Sequence, residues 1–506
     1  MADTKREIEW KYEAATGDEL PDLTGVGGVV AVIDQGVAEL DATYYDTPDE
    51  RLARAFLTLR RRTGGDDAGW HLKLPVAEGV RDEIRAPLSD TVPPALLGLV
   101  RSRIRDAGLV PVMRLRSDRD VRHLLDADGA LLAEVSLDRV RAERLAGGSG
   151  TAEWTEIEVE LADGGDPAFL DKVDKKLRKA GLSRSSAESK LARALQETGT
   201  RTERAAAGRP KKPVTAGDHV LAYVRAQRDA IVELDPAVRR DVFDSVHSLR
   251  VATRRLRSTL RSYAKVLDRD VTDPVADELK WLAGELGVDR DQEVLTQRLT
   301  AAVGALHPSL LTGPVRGRLR TWSHPGRGGS RHRLATVLDS ARHLALLDAL
   351  DALICDPPLL KAAAQAPKKV IIQAIRRDFR KTADLVSQAL DLPPGHDRDI
   401  AMHEARKKAK RTRYAAEAAA PALGKPAEAL VRSMKSLQTL LGDHQDSVMA
   451  RSALRELSAQ AYAAGENTFT YGVLYGREEQ RAAECEAALP AVWEAATSEG
   501  MAGRLI

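Results

Sequence analysis

Cysteine is scarce in this sequence of 506 residues, and its scarcity excludes two kinds of architecture. The two cysteines, Cys355 and Cys485, lie far apart, so they provide neither a disulfide framework nor the ligand spacing of a zinc site. This usage fits a reducing compartment. The first residues also lack the apolar run of a signal peptide, and no apolar stretch has the length of a transmembrane helix. The sequence therefore predicts a cytoplasmic protein without a membrane partner.

An excess of charge of one sign is also absent. The chain has 77 basic and 75 acidic residues, which gives a formal net charge of +2. Bulk charge therefore identifies no partner, and only local clusters of charge can indicate one. Aromatic residues make up 4% of the chain, so nucleic-acid binding by base stacking lacks support. The length exceeds what one hydrophobic core organises, and two or more domains are expected.

The hydrophobic pattern changes along the chain and divides it into two parts. Up to about Leu161, apolar and polar residues alternate as they do on β-strands, whereas residues beyond 217 are rich in alanine, leucine and arginine at helical spacing. Residues 201–216 between them are basic and contain two prolines, which indicates an exposed linker. These changes predict an N-terminal domain over residues 1–200, a linker over 201–216 and an all-helical domain over 217–506.

Charged residues occupy every second position near the start of the chain, where Glu7, Glu9 and Lys11 alternate with Ile8 and Trp10. On a β-strand the three charged side chains leave by one face, whereas on a helix they would spread round the circumference. Two carboxylates and an ammonium on one face suit a metal ion that carries a polyanion. An ordinary strand with a polar outer face has the same pattern, so these residues alone do not distinguish the two interpretations.

The same alternation recurs in later segments of the first part. The residues on the charged faces include Arg60, Arg62, Lys73, Arg81, Glu83, Arg85, Arg114, Arg116, Glu134, Asp138, Glu156, Glu158 and Glu160. Six such strands in succession predict a closed antiparallel sheet with a charged interior, which requires acids, bases and a ligand to neutralise one another. Small water-soluble barrels are usually filled with apolar side chains. A charged interior therefore indicates a ligand site.

The order of these motifs resembles that of a CYTH domain, the domain of the triphosphate tunnel metalloenzymes. The resemblance extends over residues 1–200 and is carried by residues 7–11, 44–48, 59–62, 72–75 and 156–158. It implies an eight-stranded antiparallel β-barrel that forms a tunnel for a triphosphate. With the helical part, the predicted fold class is α+β: this barrel followed by an all-α domain.

The resemblance also implies roles for individual residues of this chain. The implied ligands of Mg²⁺ or Mn²⁺ are Glu7, Glu9, Glu156 and Glu158. The implied phosphate contacts are Lys11, Arg60, Arg62, Lys73, Arg114 or Arg116, and Lys190, with Glu83 and Asp138 as further tunnel acids. Catalysis is expected to depend on Glu7, Glu9 and Lys11. Hard divalent cations take carboxylate oxygens and arginine matches phosphate geometry, so these residues suit metal-assisted hydrolysis.

The helical part contains an internal repeat that begins with a histidine. The first basic set is His247, Arg250, Arg254 and Arg257, and the second basic set is His403, Arg406, Lys410 and Arg413. Both sets advance by steps of three, four and three residues, which places each along one face of a helix. A Leu-Gly pair follows each set, at residues 286–287 and 441–442. The repeat predicts two tandem helical bundles, about 217–360 and 361–506.

Like charges at these steps repel one another and weaken a helix, and a bound polyanion would offset the repulsion. A solvated basic surface is the alternative interpretation. The pattern resembles the CHAD domain, and over residues 217–506 this resemblance implies a module that binds inorganic polyphosphate in a groove lined by the two basic sets. Lys410 departs from the arginine of the first set and loses a bidentate contact.

Two classes of function follow from the sequence. The first is a metal-dependent hydrolase of inorganic tripolyphosphate whose helical domain binds polyphosphate, and retention of both glutamate pairs with the tunnel cations favours it. The alternative is a polyphosphate-binding or targeting protein with little catalysis. A class IV adenylate cyclase and a thiamine triphosphatase would use the same tunnel, but the sequence has no clear pocket for a nucleobase or a thiazolium.

Overall fold

The computed structural model describes residues 3–15, 17–199, 212–322 and 327–498. The chain divides into two compact units, Met1–Pro210 and Lys211–Ile506. Most of the expected linker, residues 201–211, lies outside the described residues. No helix among the described ranges combines the length and the apolar composition that crossing a membrane requires.

The first unit is built mainly of β-strands. They are β1 (Asp3–Ala14), β2 (Ala31–Asp46), β3 (Thr58–Thr63), β4 (Gly69–Ala77), β5 (Val80–Ala86), β6 (Val110–Leu125), β7 (Leu131–Arg144), β8 (Thr151–Leu161) and the short β9 (Ser183–Arg184). Three helices accompany them: α1 (Pro94–Ile104), α2 (Ala168–Lys179) and α3 (Lys190–Thr198).

Strands β1 to β8 form a closed antiparallel barrel. Neighbouring strands pair in the order β5-β4-β3-β2-β6-β7-β8-β1, and β1 closes the ring by pairing with β5. The first half of β1 pairs with β5 and its second half pairs with β8, so one long strand joins the two edges of the sheet. The eight-stranded antiparallel barrel predicted from the sequence is confirmed.

Alternation along the strands gives the barrel an apolar outer face and a charged inner face. Leu59, Leu72 and Ile84 pack outward against α1, and a second cluster of outward residues packs against α2. Helix α3 instead packs on inward apolar residues such as Tyr44 and Leu115. This helix therefore closes one end of the barrel, and its first residue reaches the charged interior.

The second unit is helical throughout its described part. Its helices are α4 (Ala216–Arg239), α5 (Ser245–Ser262), α6 (Arg269–Glu285), α7 (Val288–Gly304), α8 (Val315–Trp322), α9 (Arg327–Asp339), α10 (Ala341–Cys355), α11 (Pro367–Asp391), α12 (His396–Leu423), α13 (Lys425–Ala463) and α14 (Phe469–Ser498). The predicted α+β class, with the all-α part second, is confirmed.

The two sequence repeats of this unit share one apolar core. Leu249 and Leu256 of α5 lie in the same buried cluster as Ala405 and Ala409 of α12. These two helices carry the basic sets, so packing between the repeats brings the sets onto neighbouring helices. A second, smaller core joins α7 and α8 to the C-terminal half of α13 and to α14.

Candidate active site

The inward faces of the strands line a cavity of about 550 Å³ inside the barrel. Its charged lining comprises Lys5, Glu7, Glu9, Lys11, Arg60, Arg62, Asp66, Asp67, Lys73, Arg81, Glu83, Arg85, Arg119, Glu134, Glu158, Glu160 and Lys190. The strand register places opposite charges side by side, since Lys11 pairs with Glu158 across β1 and β8, and Lys73 pairs with Glu83 across β4 and β5. Cross-strand partners at this spacing interact directly.

Three buried carboxylates of β7 and β8, Asp138, Glu156 and Glu158, form an acidic cluster. One oxygen atom of each lies within 4.8 Å of the others. The Nζ atom of Lys190, which begins α3, lies 2.8, 2.7 and 2.6 Å from the three carboxylates in turn. Burial lowers the pKa of Lys190, but the three carboxylates outweigh burial and raise this pKa above its usual value. The ammonium group of Lys190 therefore already serves as the cation of this acidic cluster in the protein alone.

Glu7 and Glu9 lie in the cavity and each holds a lysine. The Nζ atom of Lys73 lies 2.5 Å from Oε2 of Glu7, and the Nζ atom of Lys11 lies 3.1 Å from Oε1 of Glu9. Among the described residues, neither glutamate belongs to a group of three potential metal ligands. The structure thus brings Glu156 and Glu158 together with Asp138, and the predicted set of four glutamates does not form one group.

The two glutamates of β1 titrate at different pH values. Burial raises the pKa of Glu7 to about 6, against the opposing effect of Lys73. Burial also acts to raise the pKa of Glu9, but Lys11 and Lys73 outweigh it and lower this pKa to about 2. Environments that push the pKa values of neighbouring acids apart give them separate chemical roles. Glu7 can therefore exchange a proton near neutral pH, whereas Glu9 stays ionised.

Two predicted phosphate contacts, Arg60 and Arg62, lie in the cavity with unused hydrogen-bond donors. The buried Nε atoms of both arginines donate no hydrogen bond within the described part of the chain. Burial and the neighbouring charges of Arg60 and Arg119 lower the pKa of Arg62 to about 9, although Arg62 also pairs with Asp67. Buried donors without acceptors are unfavourable. An anion in the cavity would supply both acceptors and counter-charge.

The placement of Arg114 and Arg116 in the tunnel is wrong. Both side chains lie on the outer face of β6, where Arg114 Nη2 lies 2.5 Å from Asp41 Oδ2 and Arg116 Nε lies 3.7 Å from the same oxygen. The inward arginine of this strand is Arg119, whose Nη2 lies 2.7 Å from Asp138 and 2.6 Å from Glu158. A strand presents alternate residues to opposite faces, so residues 114 and 116 cannot share a face with 119.

This correction leads to a pair of matched variants. If the tunnel hydrolyses a triphosphate, Arg119→Gln is expected to lower kcat about 10–100-fold, the loss typical of removing a residue that holds metal-site carboxylates in position. Arg114→Gln on the outer face of the same strand is expected to leave kcat within about twofold, because surface ion pairs contribute little. Steady-state kinetics of both purified variants would test the assignment, and equal losses would contradict it.

His71 and Asp67 are tunnel residues that the sequence did not identify. The buried imidazole of His71 has Nδ1 2.9 Å from Glu83 Oε1 and Nε2 2.8 Å from the backbone oxygen of Asp67. It thereby ties the acid on β5 to the loop between β3 and β4. A histidine on a strand face has no distinctive spacing, so only the alternation that places it beside Lys73 pointed to this position.

In the helical unit, α5 and α12 bring the two basic sets together. Burial, followed by the charges of Arg406, Arg254, Arg413 and Arg250, lowers the pKa of Lys410 to about 7. Residues of both sets therefore act on the same ammonium group. The buried Nε of Arg406 donates no hydrogen bond to any described residue.

Basic residues away from these sets are held by acids. Arg255 Nε lies 2.9 Å from Glu417 Oε2, and Arg411 Nε lies 3.1 Å from the buried carboxylate of Asp378. These pairs join helices α5, α11 and α12. Glu417 also lies 3.5 Å, through Oε1, from Nε of Arg413, so this acid contacts one member of the second basic set as well.

A second group of potential metal ligands lies in the helical unit. Nε2 of buried His444 lies 3.3 Å from Asp399 Oδ1 and 3.4 Å from Glu486 Oε1. Arg451 pairs with Asp399, and Arg398 pairs with Glu486. Because two arginines already neutralise the two carboxylates, the group has the composition of an internal ion-pair network.

The structure thus combines a closed antiparallel barrel that has a charged interior with a helical unit in which two basic sets lie on neighbouring helices. Residues 5–195 match the family model of the CYTH domain, and residues 222–455 match that of the CHAD domain. Uncharacterized protein Rv2226 from Mycobacterium tuberculosis strain H37Rv is 40% identical over 500 residues, which cover 96% of this chain and 95% of that protein. The chain belongs to the CYTH–CHAD family, as the sequence motifs predicted.

Solved structures resemble parts of the chain. PptA from Streptomyces chartreusis is 23% identical and covers 56% of this chain and 100% of its own, with a TM-score of 0.45. The CHAD domain from the plant Ricinus communis is 22% identical and covers 58% of this chain and 95% of its own, with a TM-score of 0.43. CYTH domains form metal-dependent triphosphate tunnel enzymes with triphosphatase or cyclase activity.

Proposed function

We propose that this protein hydrolyses inorganic tripolyphosphate in its barrel and binds inorganic polyphosphate on its helical unit. The observation that carries the first part is a single cavity lined both by carboxylates, among them Glu158 of the acidic cluster, and by arginines whose buried donors are unused. The carboxylates suit a hard divalent cation and the arginines suit phosphate oxygens. A metal-bound triphosphate satisfies both requirements at once.

The acidic cluster has the chemistry of a Mg²⁺ or Mn²⁺ site. Asp138, Glu156 and Glu158 offer carboxylate oxygens, and their contact with Lys190 indicates that the position favours positive charge. Glu9 lies next to this cluster through Lys11, which contacts both Glu9 and Glu158. A bound ion would neutralise charge on the phosphate oxygens.

The remaining chemistry is assigned to the protein's own side chains. The non-bridging phosphate oxygens are bound by Arg60, Arg62, Lys73 and Lys11, which hold the triphosphate in line. Arg119 keeps the acidic cluster in position. Glu7, with its pKa of about 6, accepts a proton from the attacking water, because a general base works best when its pKa lies near the working pH.

The lining of the cavity favours an inorganic triphosphate over a nucleotide. Apart from His123, the described lining contains a single aromatic residue, Tyr44, and its hydroxyl group lies 3.4 Å from Arg60 Nη1. A nucleobase would find little to stack on, since recognition of a base usually uses aromatic faces. Nearly all other polar groups of the cavity are charged.

Phosphate release from tripolyphosphate, ATP and thiamine triphosphate, each with Mg²⁺ or Mn²⁺, tests the proposal. Metal-dependent release is expected to be fastest with tripolyphosphate. The absence of release from all three would rule out the hydrolase, and formation of cyclic AMP from ATP would assign the tunnel to a cyclase instead.

The second part of the proposal depends on the half-buried charges of the two basic sets on the paired helices. Arg406→Gln in the full chain is expected to weaken binding of long-chain polyphosphate about tenfold, the effect of losing one charge-assisted contact. Lys407 lies on the same helix, outside the basic set, and pairs with Glu404. Lys407→Gln is therefore the control and should bind within about twofold of the wild type. Fluorescence anisotropy at fixed salt would measure both, and equal losses would indicate non-specific attraction.

A further inference from the structure

A glycine faces an arginine of the basic set in each of the two repeats. A Cβ atom built on Gly287 would lie 2.8 Å from Nη2 and 3.0 Å from Cζ of Arg250. A Cβ atom built on Gly442 would lie 3.4 Å from Nη2 and 3.5 Å from Nε of Arg406. Arg250 and Arg406 occupy the same position of their sets, and the two glycines occupy the same position of the Leu-Gly pairs. The contact is therefore repeated along with the sequence.

Backbone conformation does not explain these glycines. Gly287 has φ −95° and ψ −23°, which any residue adopts. Gly442 lies inside α13, away from either end. Glycine is among the least favourable residues in a helix, and alanine at such a position normally stabilises it. What glycine provides here is space, and the group that uses the space is a guanidinium.

We infer that Gly287 is a positioning residue of the polyanion site: its lack of a side chain leaves the space that the guanidinium of Arg250 occupies, and Gly442 with Arg406 is the looser counterpart in the second repeat. This inference rests on the proposed binding of polyphosphate. Both arginines lie close enough to Lys410 to lower its pKa. A guanidinium held in one place loses less conformational freedom when it binds an anion, so fixing it raises affinity.

The two glycines leave different amounts of space beside their arginines, so alanine is expected to have different effects at the two positions. A Cβ atom on Gly287 would approach Arg250 to 2.8 Å, so the guanidinium has to move, whereas 3.4 Å at Gly442 is an ordinary contact. The same Cβ on Gly287 would also lie 3.2 Å from the backbone oxygen of Ala283. Gly287→Ala should therefore displace Arg250, while Gly442→Ala should leave Arg406 nearly in place.

The test uses the full chain and long-chain inorganic polyphosphate. Gly287→Ala is expected to raise Kd about 5–10-fold and Gly442→Ala about twofold or less, because a fold-change of this size corresponds to one disturbed charged contact. Gly284 is the matched control: it lies on α6, three residues before Gly287, and beyond its chain neighbours and the nearby backbone of α6 no described atom lies within 4 Å of its built Cβ. Gly284→Ala should leave Kd unchanged and raise Tm.

Failure of the inference can be separated from failure of the proposed function. The Nε–Hε NMR resonance of Arg250, assigned with Arg250→Lys, reports the seat of the guanidinium without any polyanion. In Gly287→Ala this resonance should shift while that of Arg406 stays. Two results would overturn the inference. One is an Arg250 resonance that does not shift in Gly287→Ala. The other is a wild-type Kd in Gly287→Ala while Arg250→Gln weakens binding. If the wild-type protein does not bind polyphosphate, the proposed function is overturned. The NMR resonance of Arg250 would still test whether Gly287 positions its guanidinium.

Discussion

Glu158→Gln is expected to abolish phosphate release from tripolyphosphate, with kcat lower by about 10³-fold or more. Lys11, Lys190 and Arg119 all contact this carboxylate, which also belongs to the acidic cluster. Glutamine keeps the shape of the side chain but removes its charge. The change therefore weakens the proposed metal site and removes one counter-charge that Lys11, Lys190 and Arg119 share.

The same strand offers the control for this variant. The side chain of Glu153 on β8 is 75% exposed and pairs with Arg141 outside the barrel. Glu153→Gln should retain kcat within about twofold, as expected for a surface pair. Thermal unfolding of both variants is needed, because removing one partner of a buried ion pair can destabilise a protein by about 3–5 kcal/mol. A folded Glu158→Gln protein with wild-type kcat would show that the acidic cluster is not catalytic.

Strand alternation allowed the inner face of the barrel to be predicted where one face carries most of the charge. Glu7, Glu9, Lys11 and Lys73 follow this pattern, and all four line the cavity. Strand β6 differs, because charged residues occur on both of its faces. The choice between Arg114 and Arg119 depends on which face pairs inward, and that is set by the register with β2 and β7 rather than by local sequence.

Contacts between distant segments could not be predicted from the sequence pattern. Lys190 meets Asp138, 52 residues earlier in the chain, only because α3 packs into the end of the barrel. In the helical unit, the steps of three and four residues correctly predicted helices at both basic sets. That α5 and α12 share one core is a tertiary fact, and it is what places Arg254 near Lys410.

Binding of polyphosphate is expected to weaken as pH rises above 7, and Lys410 is the cause. Burial and four neighbouring arginines lower its pKa from 10.5 to about 7 in the protein alone. A bound polyanion supplies the opposite charge and raises this pKa. Between pH 7 and the higher pKa of the complex, binding takes up a proton. Linkage then lowers the affinity by up to about tenfold for each pH unit.

The expected profile is flat just below pH 7, where Lys410 is charged in both states, and Kd rises about 10–100-fold from pH 7 to pH 9. Fluorescence anisotropy at constant ionic strength would measure this pH profile. Long-chain polyphosphate is the ligand to use, because its chain ends are a small part of the molecule. Burial and Lys407 lower the pKa of His403 from 6.5 in the protein alone. His403 is retained in Lys410→Arg, so that variant separates its contribution from that of Lys410.

Lys410→Arg is the decisive control, because arginine stays charged throughout this range. It restores the residue type that the first basic set has at the same position, Arg254. The variant should bind at pH 9 as it does at pH 7, and a flat profile for the wild type would contradict the assignment. The departure from the repeat at this one position would then account for the weaker polyanion binding between pH 7 and pH 9, since arginine at position 410 would stay charged throughout this range.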